Sequence, residues 1–219
     1  MSSFLDRFLD LLFPPRCPFC RGILKEYEIR ICKKCQQTLP RVPDSVQRKQ
    51  YRHIDVCVSP LYYKDEVRLS LLRYKFGGQY TYCEAYAELM TECLAANGVT
   101  ADLITWVPLS RKRLRKRGYD QAKLLADAVS ARTGIPCARL LIKQTDTPPQ
   151  SGIKSPEKRK TNVSGVYRPA DPELVKRKAV LLIDDIATTG ATLSECARVL
   201  KAAGAKRICA ATVARSTFD

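Results

Sequence analysis

Apolar residues gather along this chain in bursts that alternate between two periods. Ile54 to Tyr62, Leu103 to Leu109, Arg139 to Ile142, Ala179 to Ile183 and Arg207 to Ala214 are largely apolar on successive residues. Such runs mark strands buried on both faces. Between them, Glu66 to Phe76, Tyr82 to Ala96 and Gln121 to Arg132 carry helical spacing and stop at Gly77-Gly78, Asn97-Gly98 and Gly134. A further helix shows Leu193, Cys196, Ala197 and Leu200 on one face and ends before Gly204, and Thr192 and Glu195 have the spacing of a capping box at its start. Strands alternating with helices predict an α/β fold on a parallel sheet covered on both faces.

The flanks read differently. Phe4, Leu5, Phe8, Leu9, Leu11 and Leu12 recur at helical spacing before Pro14-Pro15. The polar face holds only Asp6, Arg7 and Asp10, which favours packing on the protein's own core over peripheral contact with a membrane. Pro40, Pro43 and the run 45–52 read as a linker, with the lone histidine, His53, at its end in a structural role. The expected organisation is therefore a small unit over 1–50 and a main domain over 51–219. From Lys143 to Val166 the chain is too polar to pack and too long for an ordinary connection, so it is a functional lid or a disordered linker.

Charge narrows the partners. Lys and Arg number 38 against 22 Asp and Glu, a formal +16, which points to phosphates or nucleic acid. Residues 111–160 hold 14 of the cations and four of the acids, and six of the seven residues from Arg111 to Arg117 are basic. Arg111, Arg113, Arg115 and Arg117 read as a solvated charge run, or as contacts to the backbone of single-stranded DNA with Tyr119 as a stacking platform. Tyr74, Phe76, Tyr80, Tyr82 and Tyr86 fit packing better than base stacking. No apolar run approaches the length of a membrane span, and no signal peptide is evident, so a cytoplasmic location is expected.

Ten cysteines in that compartment should be reduced, and clustered ones are better explained by metal than by disulfides. Cys17, Cys20, Cys32 and Cys35 form two CxxC pairs eleven residues apart, which suits one structural Zn2+. Arg16, Arg21, Lys33 and Lys34 would favour the thiolates. A redox pair, plain buried thiols or an iron-sulfur cluster are the competing readings. Cys57, Cys83, Cys93, Cys137, Cys196 and Cys209 are expected to pack as small hydrophobes.

The segment VLLIDDIATTGAT, residues 180–192, sets Asp184 and Asp185 where a strand meets a helix. Ala187, Thr188, Thr189, Gly190, Ala191 and Thr192 would bend round the positive end of that helix and bind phosphate. Two carboxylates beside a phosphate repel it unless they face sugar hydroxyls or a divalent cation. Phosphoribosyl pyrophosphate (PRPP) with Mg2+ meets these demands, whereas plain strand ending and helix starting is the bland alternative. Neither common nucleotide-binding glycine motif is present.

This segment resembles the PRPP-binding motif of type I phosphoribosyltransferases, with Ala187 where a larger aliphatic is usual. More widely the chain resembles the ComF family, competence-associated proteins that join a four-cysteine zinc finger to a phosphoribosyltransferase domain. The resemblance rests on the CxxC pairs, Leu71-Leu72-Arg73-Tyr74-Lys75-Phe76-Gly77-Gly78, Val107-Pro108-Leu109, Arg117-Gly118-Tyr119-Asp120-Gln121-Ala122 and Thr147-Pro148-Pro149-Gln150. Asp120 stands where the family more often has Asn. The resemblance implies that Asp184 and Asp185 hold the ribose and that residues 187–192 enclose its 5′-phosphate. It implies that the loop with Arg111, Arg113, Arg115 and Arg117 grips pyrophosphate, and that a movable hood, 145–165, brings down Lys158, Arg159 and Lys160. It further implies handling of single-stranded DNA during natural transformation and a DNA-uptake helicase as partner. Turnover to a nitrogen acceptor is the alternative, although no general base or acceptor pocket can be named. A PRPP-sensing regulator is a third reading, without a helix-turn-helix to support it.

Overall fold

The computed structural model describes residues 14–25, 28–144 and 165–217. The expected N-terminal helix, Thr147-Pro148-Pro149-Gln150 and the hood cations Lys158, Arg159 and Lys160 lie outside the described residues. Within the cysteine segment comes α1 (Lys33–Thr38), followed by a 3-10 turn (Asp44–Val46), β1 (Arg48–Tyr51), β2 (Ile54–Val58) and β3 (Leu61–Tyr62). Next are α2 (Asp65–Phe76), α3 (Cys83–Ala96), β4 (Leu103–Trp106), α4 (Arg111–Arg117), α5 (Gln121–Thr133) and β5 (Leu141–Lys143). Then follow β6 (Tyr167–Pro169), α6 (Pro172–Val175), β7 (Ala179–Ala187), α7 (Ala191–Ala202) and β8 (Arg207–Arg215).

One six-stranded sheet runs in the order β1-β2-β8-β7-β4, with β3 also beside β8. The pairs β2·β8, β3·β8, β7·β8 and β4·β7 are parallel, as the apolar runs predict, and only β1·β2 is antiparallel. Apolar side chains cover both faces. Leu181, Ile183 and Cys209 meet the core that α2, α3 and α5 share, and Val180, Leu182 and Ile208 meet α7 with β5 and β6. Each large side chain buried this way contributes about 1.5–3 kcal/mol.

Several elements depart from the expected pattern. The expected linker contributes β1, an edge strand whose polar residues are where an edge meets water. The strand expected over Ile54 to Tyr62 is broken at Ser59-Pro60, since proline has no N–H for the ladder. The strand expected over Leu103 to Leu109 stops at Trp106, ahead of Pro108. The run Arg139 to Ile142 yields β5, which leaves the parallel sheet and pairs antiparallel with β6 on either side of the expected hood. The run 179–183 continues to Ala187, because β8 still pairs with Asp184, Ile186 and Ala187. The basic stretch 111–117 is a helix rather than a loop: Ser110 caps it by accepting from the Arg113 N–H, and Gly118 ends it at φ 79°.

Candidate functional site

β7 carries both aspartates near its end and releases the chain into Thr188 and Thr189, which are exposed. Gly190 takes φ 71° at the start of the twelve-residue α7 and offers no side-chain cap, and the Ala191 N–H donates to Thr189 Oγ1 at 3.4 Å. The expected capping box does not form. Thr192 lies inside the helix, and Glu195 instead accepts from the Gly165 N–H at 2.8 Å and pairs with Arg198 at 2.8 Å. Glu195 thereby ties down Gly165, the first described residue after 145–164. Beside the loop lies Tyr51 of β1, whose ring packs so closely that a Cβ on Gly190 would fall 2.2 Å from it. Burial raises the Tyr51 phenol to about 12.

Asp184 and Asp185 are neighbours in a strand, so their side chains leave opposite faces of the sheet. Asp184, partly buried, lies toward Tyr167 and Cys196 and accepts from the Asp185 N–H at 2.8 Å. Burial, then the charge of Asp185, pushes its carboxyl up to about 8, with Lys75 pulling the other way. Asp185 is buried and meets the Lys75 ammonium at 2.9 Å. Lys75 stands in the last turn of α2. Its sequence signal is only a cation at a helix end, a feature usually explained by the helix dipole.

The four candidate arginines separate on α4. Arg113 and Arg117 are partly buried on its inner face, while Arg111 and Arg115 are exposed. Arg117 donates to the Gln121 side chain at 2.8 Å, lies 4.8 Å over the Phe76 ring and is within electrostatic reach of Asp185. Arg111 lines a cleft of about 410 Å³ with Ser110, Ile142, Lys143, Gln144 and Arg168. Lys143 and Arg168, unassigned from the sequence, flank the expected hood and add two cations to that cleft. Asp120 fixes the approach: its carboxylate accepts from the Leu109 N–H at 3.1 Å and from the Lys123 N–H at 3.3 Å, capping α5. The Ala122 N–H and the Trp106 side chain also donate to it, so the carboxylate serves as acceptor to several donors that converge there.

The sulfurs of Cys17, Cys20, Cys32 and Cys35 lie within 4.8 Å of one another, and those of Cys20 and Cys32 are 3.6 Å apart. Tetrahedral Zn2+ with bonds of about 2.3 Å separates its sulfurs by about 3.8 Å, so the set fits the ion. The Gly22 N–H points at the Cys20 sulfur (3.4 Å) and the Cys35 N–H at that of Cys32 (3.5 Å), which favours thiolates. Of the other cysteines, Cys57, Cys93, Cys196 and Cys209 are buried, and Cys83 and Cys137 are partly so. His53 sits exposed at φ 66° in the β1–β2 turn, away from the cluster.

Residues 116–217 match the phosphoribosyl transferase domain family, and residues 8–46 match the double zinc ribbon domain family. Over 214 residues the chain is 26% identical to competence protein F of Haemophilus influenzae, covering 88% of this chain and 93% of that one. It is 28% identical over 189 residues to competence protein ComFC of Bacillus subtilis, covering 84% of this chain and 70% of the relative. The DNA utilization protein YhgH of Escherichia coli O157:H7 is 26% identical over 197 residues, 88% of this chain and 80% of the relative. Among the described residues no helix is long and apolar enough to cross a membrane.

Proposed function

From a chain that belongs to the ComF family, joining a zinc ribbon to a phosphoribosyltransferase domain, we propose a competence protein that binds PRPP with Mg2+ and handles single-stranded DNA. The observation that carries the first half is the meeting, at the carboxyl end of β7, of an acid pair with a helix start built on a left-handed glycine. Ribose hydroxyls donate to Asp184 and Asp185. The 5′-phosphate lies among residues 187–192, where backbone N–H groups and threonine hydroxyls donate to its oxygens without desolvating a second cation. Arg113 and Arg117, on the face of α4 nearer Asp185, take the diphosphate, for which guanidinium forks are suited.

Support for the second half comes from surface chemistry. Arg111, Lys112, Arg115 and Lys116 are all exposed on α4. Nearby, the aromatic residues sort themselves: Tyr74, Tyr82 and Tyr86 are buried, whereas Phe76 and Tyr80 are 68% and 59% exposed. Arg117 lies against Phe76, and the Tyr80 ring is 6.3 Å from that of Tyr119. Cations for phosphates beside open rings for bases are what a single strand requires.

Calorimetric titration of PRPP with Mg2+ tests the reading. The native protein should bind, and Asp184→Asn/Asp185→Asn should lose the heat of binding while still melting cooperatively. Undiminished binding by the double variant would remove the basis of the proposal. Pyrophosphate release across a nucleobase panel separates binding from transfer.

A further inference from the structure

Resting on the PRPP reading above, we propose that Lys75 is a further ligand-contacting residue, and that the zinc ribbon sets its position through the last turns of α2. Two faces of one helix carry the argument. On one, Arg73 Nη2 donates to the Pro18 and Phe19 carbonyls at 2.9 and 2.8 Å, and Ser70 Oγ donates to the Pro18 carbonyl at 2.6 Å. Pro18 and Phe19 are the two residues between Cys17 and Cys20, so those carbonyls point where the sulfur cluster puts them.

On the opposite face, two residues beyond Arg73 and so about 200° round the helix, Lys75 holds Asp185 at 2.9 Å. Between them Tyr74 donates to the Gln121 carbonyl at 2.8 Å and its ring meets that of Tyr86 at 5.3 Å. Tyr86 in turn packs edge-on against Phe19 at 5.8 Å. Gly77 closes the helix so tightly that a Cβ there would come within 2.9 Å of the Arg73 carbonyl oxygen. The C-terminal end of α2 is thus a short rigid strut between the ribbon and the acid pair.

The ion pair is largely removed from water, with side chains 19% and 11% exposed. In that setting a displaced ammonium leaves a carboxylate with reduced compensation, so moving Lys75 off Asp185 is costly. A ribose held by the aspartates brings a diphosphate beside them. Lys75 holds Asp185 in a direct ion pair and is placed to bridge it to that diphosphate, whereas Arg117 reaches Asp185 only through the longer-range field.

Coupling of this kind is reciprocal: if the ribbon favours ligand, ligand favours zinc. The full chain loaded with zinc, carrying Arg73→Met, Lys75→Met, Lys75→Arg or the double change Arg73→Met/Lys75→Met, should be titrated with PRPP and Mg2+. Arg73→Met retains the four cysteines, and its zinc content and circular dichroism confirm folding. It and Lys75→Met should each weaken binding by about five- to tenfold, with the double variant no weaker than Lys75→Met alone and Lys75→Arg largely restored. Saturating PRPP should slow zinc transfer to a chromogenic chelator in the native protein and not in Lys75→Met. Independently of PRPP, amine acetylation read by mass spectrometry should label Lys75 faster in Arg73→Met than in the native protein.

Unchanged labelling would overturn the ribbon's hold on Lys75. Additive losses in the double variant, or zinc release indifferent to PRPP, would overturn the coupling. A native protein that binds no PRPP would overturn the function reading and the ligand role of Lys75 with it, leaving the labelling result to decide the strut.

Discussion

A carboxyl held near neutrality is a cost the unliganded protein carries at one residue. Burial, and then the neighbouring Asp185 carboxylate, pushes the Asp184 carboxyl up to about 8. An unfolded aspartate titrates near 3.9. Between those values the native state keeps a proton that the unfolded chain gives up, so stability is greatest at the acid end and is lost as pH rises toward about 8. Asp184→Asn removes this dependence. The melting temperature of the variant should exceed that of native protein at pH 8.5, with the gap closing by pH 5; a gap that widened on acidification would contradict the assignment. Gly190 is constrained from two sides, by φ 71° and by the Tyr51 ring. Gly190→Ala should cost about 1–3 kcal/mol in denaturant unfolding and remove PRPP binding. Adding Tyr51→Ala should recover the steric part of the stability and leave the strained backbone.

At the scale of elements, legibility followed burial. β7, β8 and their helices announced themselves because Val180 to Ile183 and Ile208 to Ala211 are buried on both faces, and a short unbroken apolar run is what a strand covered on both sides demands. The four cysteines were legible for a different reason, since ligand spacing is imposed by the ion rather than by packing. β1 was hidden because an edge strand is polar, and α4 because six cations mask a helix whose signals are its ends, Ser110 and Gly118. Lys75 and Tyr51 reach the candidate site from elements far off in sequence, and only tertiary packing brings them to Asp185 and Gly190. The helical form of 111–117 also divides labour that a loop would leave mixed. Arg113→Ala/Arg117→Ala should weaken PRPP binding by at least about tenfold, because each removes a charge-assisted contact worth about 1.5–3 kcal/mol. Arg111→Ala/Arg115→Ala should spare PRPP and lower single-strand affinity, reducing the slope of log affinity against log salt by about 1.4. Equal effects of both pairs on PRPP would mean that the two faces of α4 are not distinct.

For the whole molecule, the question is whether ribbon and domain unfold together. A segment organised around four metal-ligating cysteines would be expected to fold as a separate, metal-dependent unit. Yet Cys17, Phe19, Leu24, Ile31 and Leu39 belong to the same continuous core as Tyr74, Tyr86, Leu125 and Ile183. Arg30 adds ion pairs to Glu88 at 3.2 Å and Glu84 at 3.8 Å, although at a third exposed or more these contribute little. The shared core decides the matter: releasing the ribbon exposes Phe19 together with the Tyr86 ring it covers, and takes the Arg73 and Ser70 bonds with it. Calorimetry on the zinc-bound protein should therefore give one cooperative transition. Stripping zinc should move that single transition down by several degrees, given that each kcal/mol shifts the midpoint of a chain this size by about 2–4 °C. Two separated transitions, with the upper one unmoved by the chelator, would show instead that the ribbon folds on its own and that the core does not bind it to the sheet.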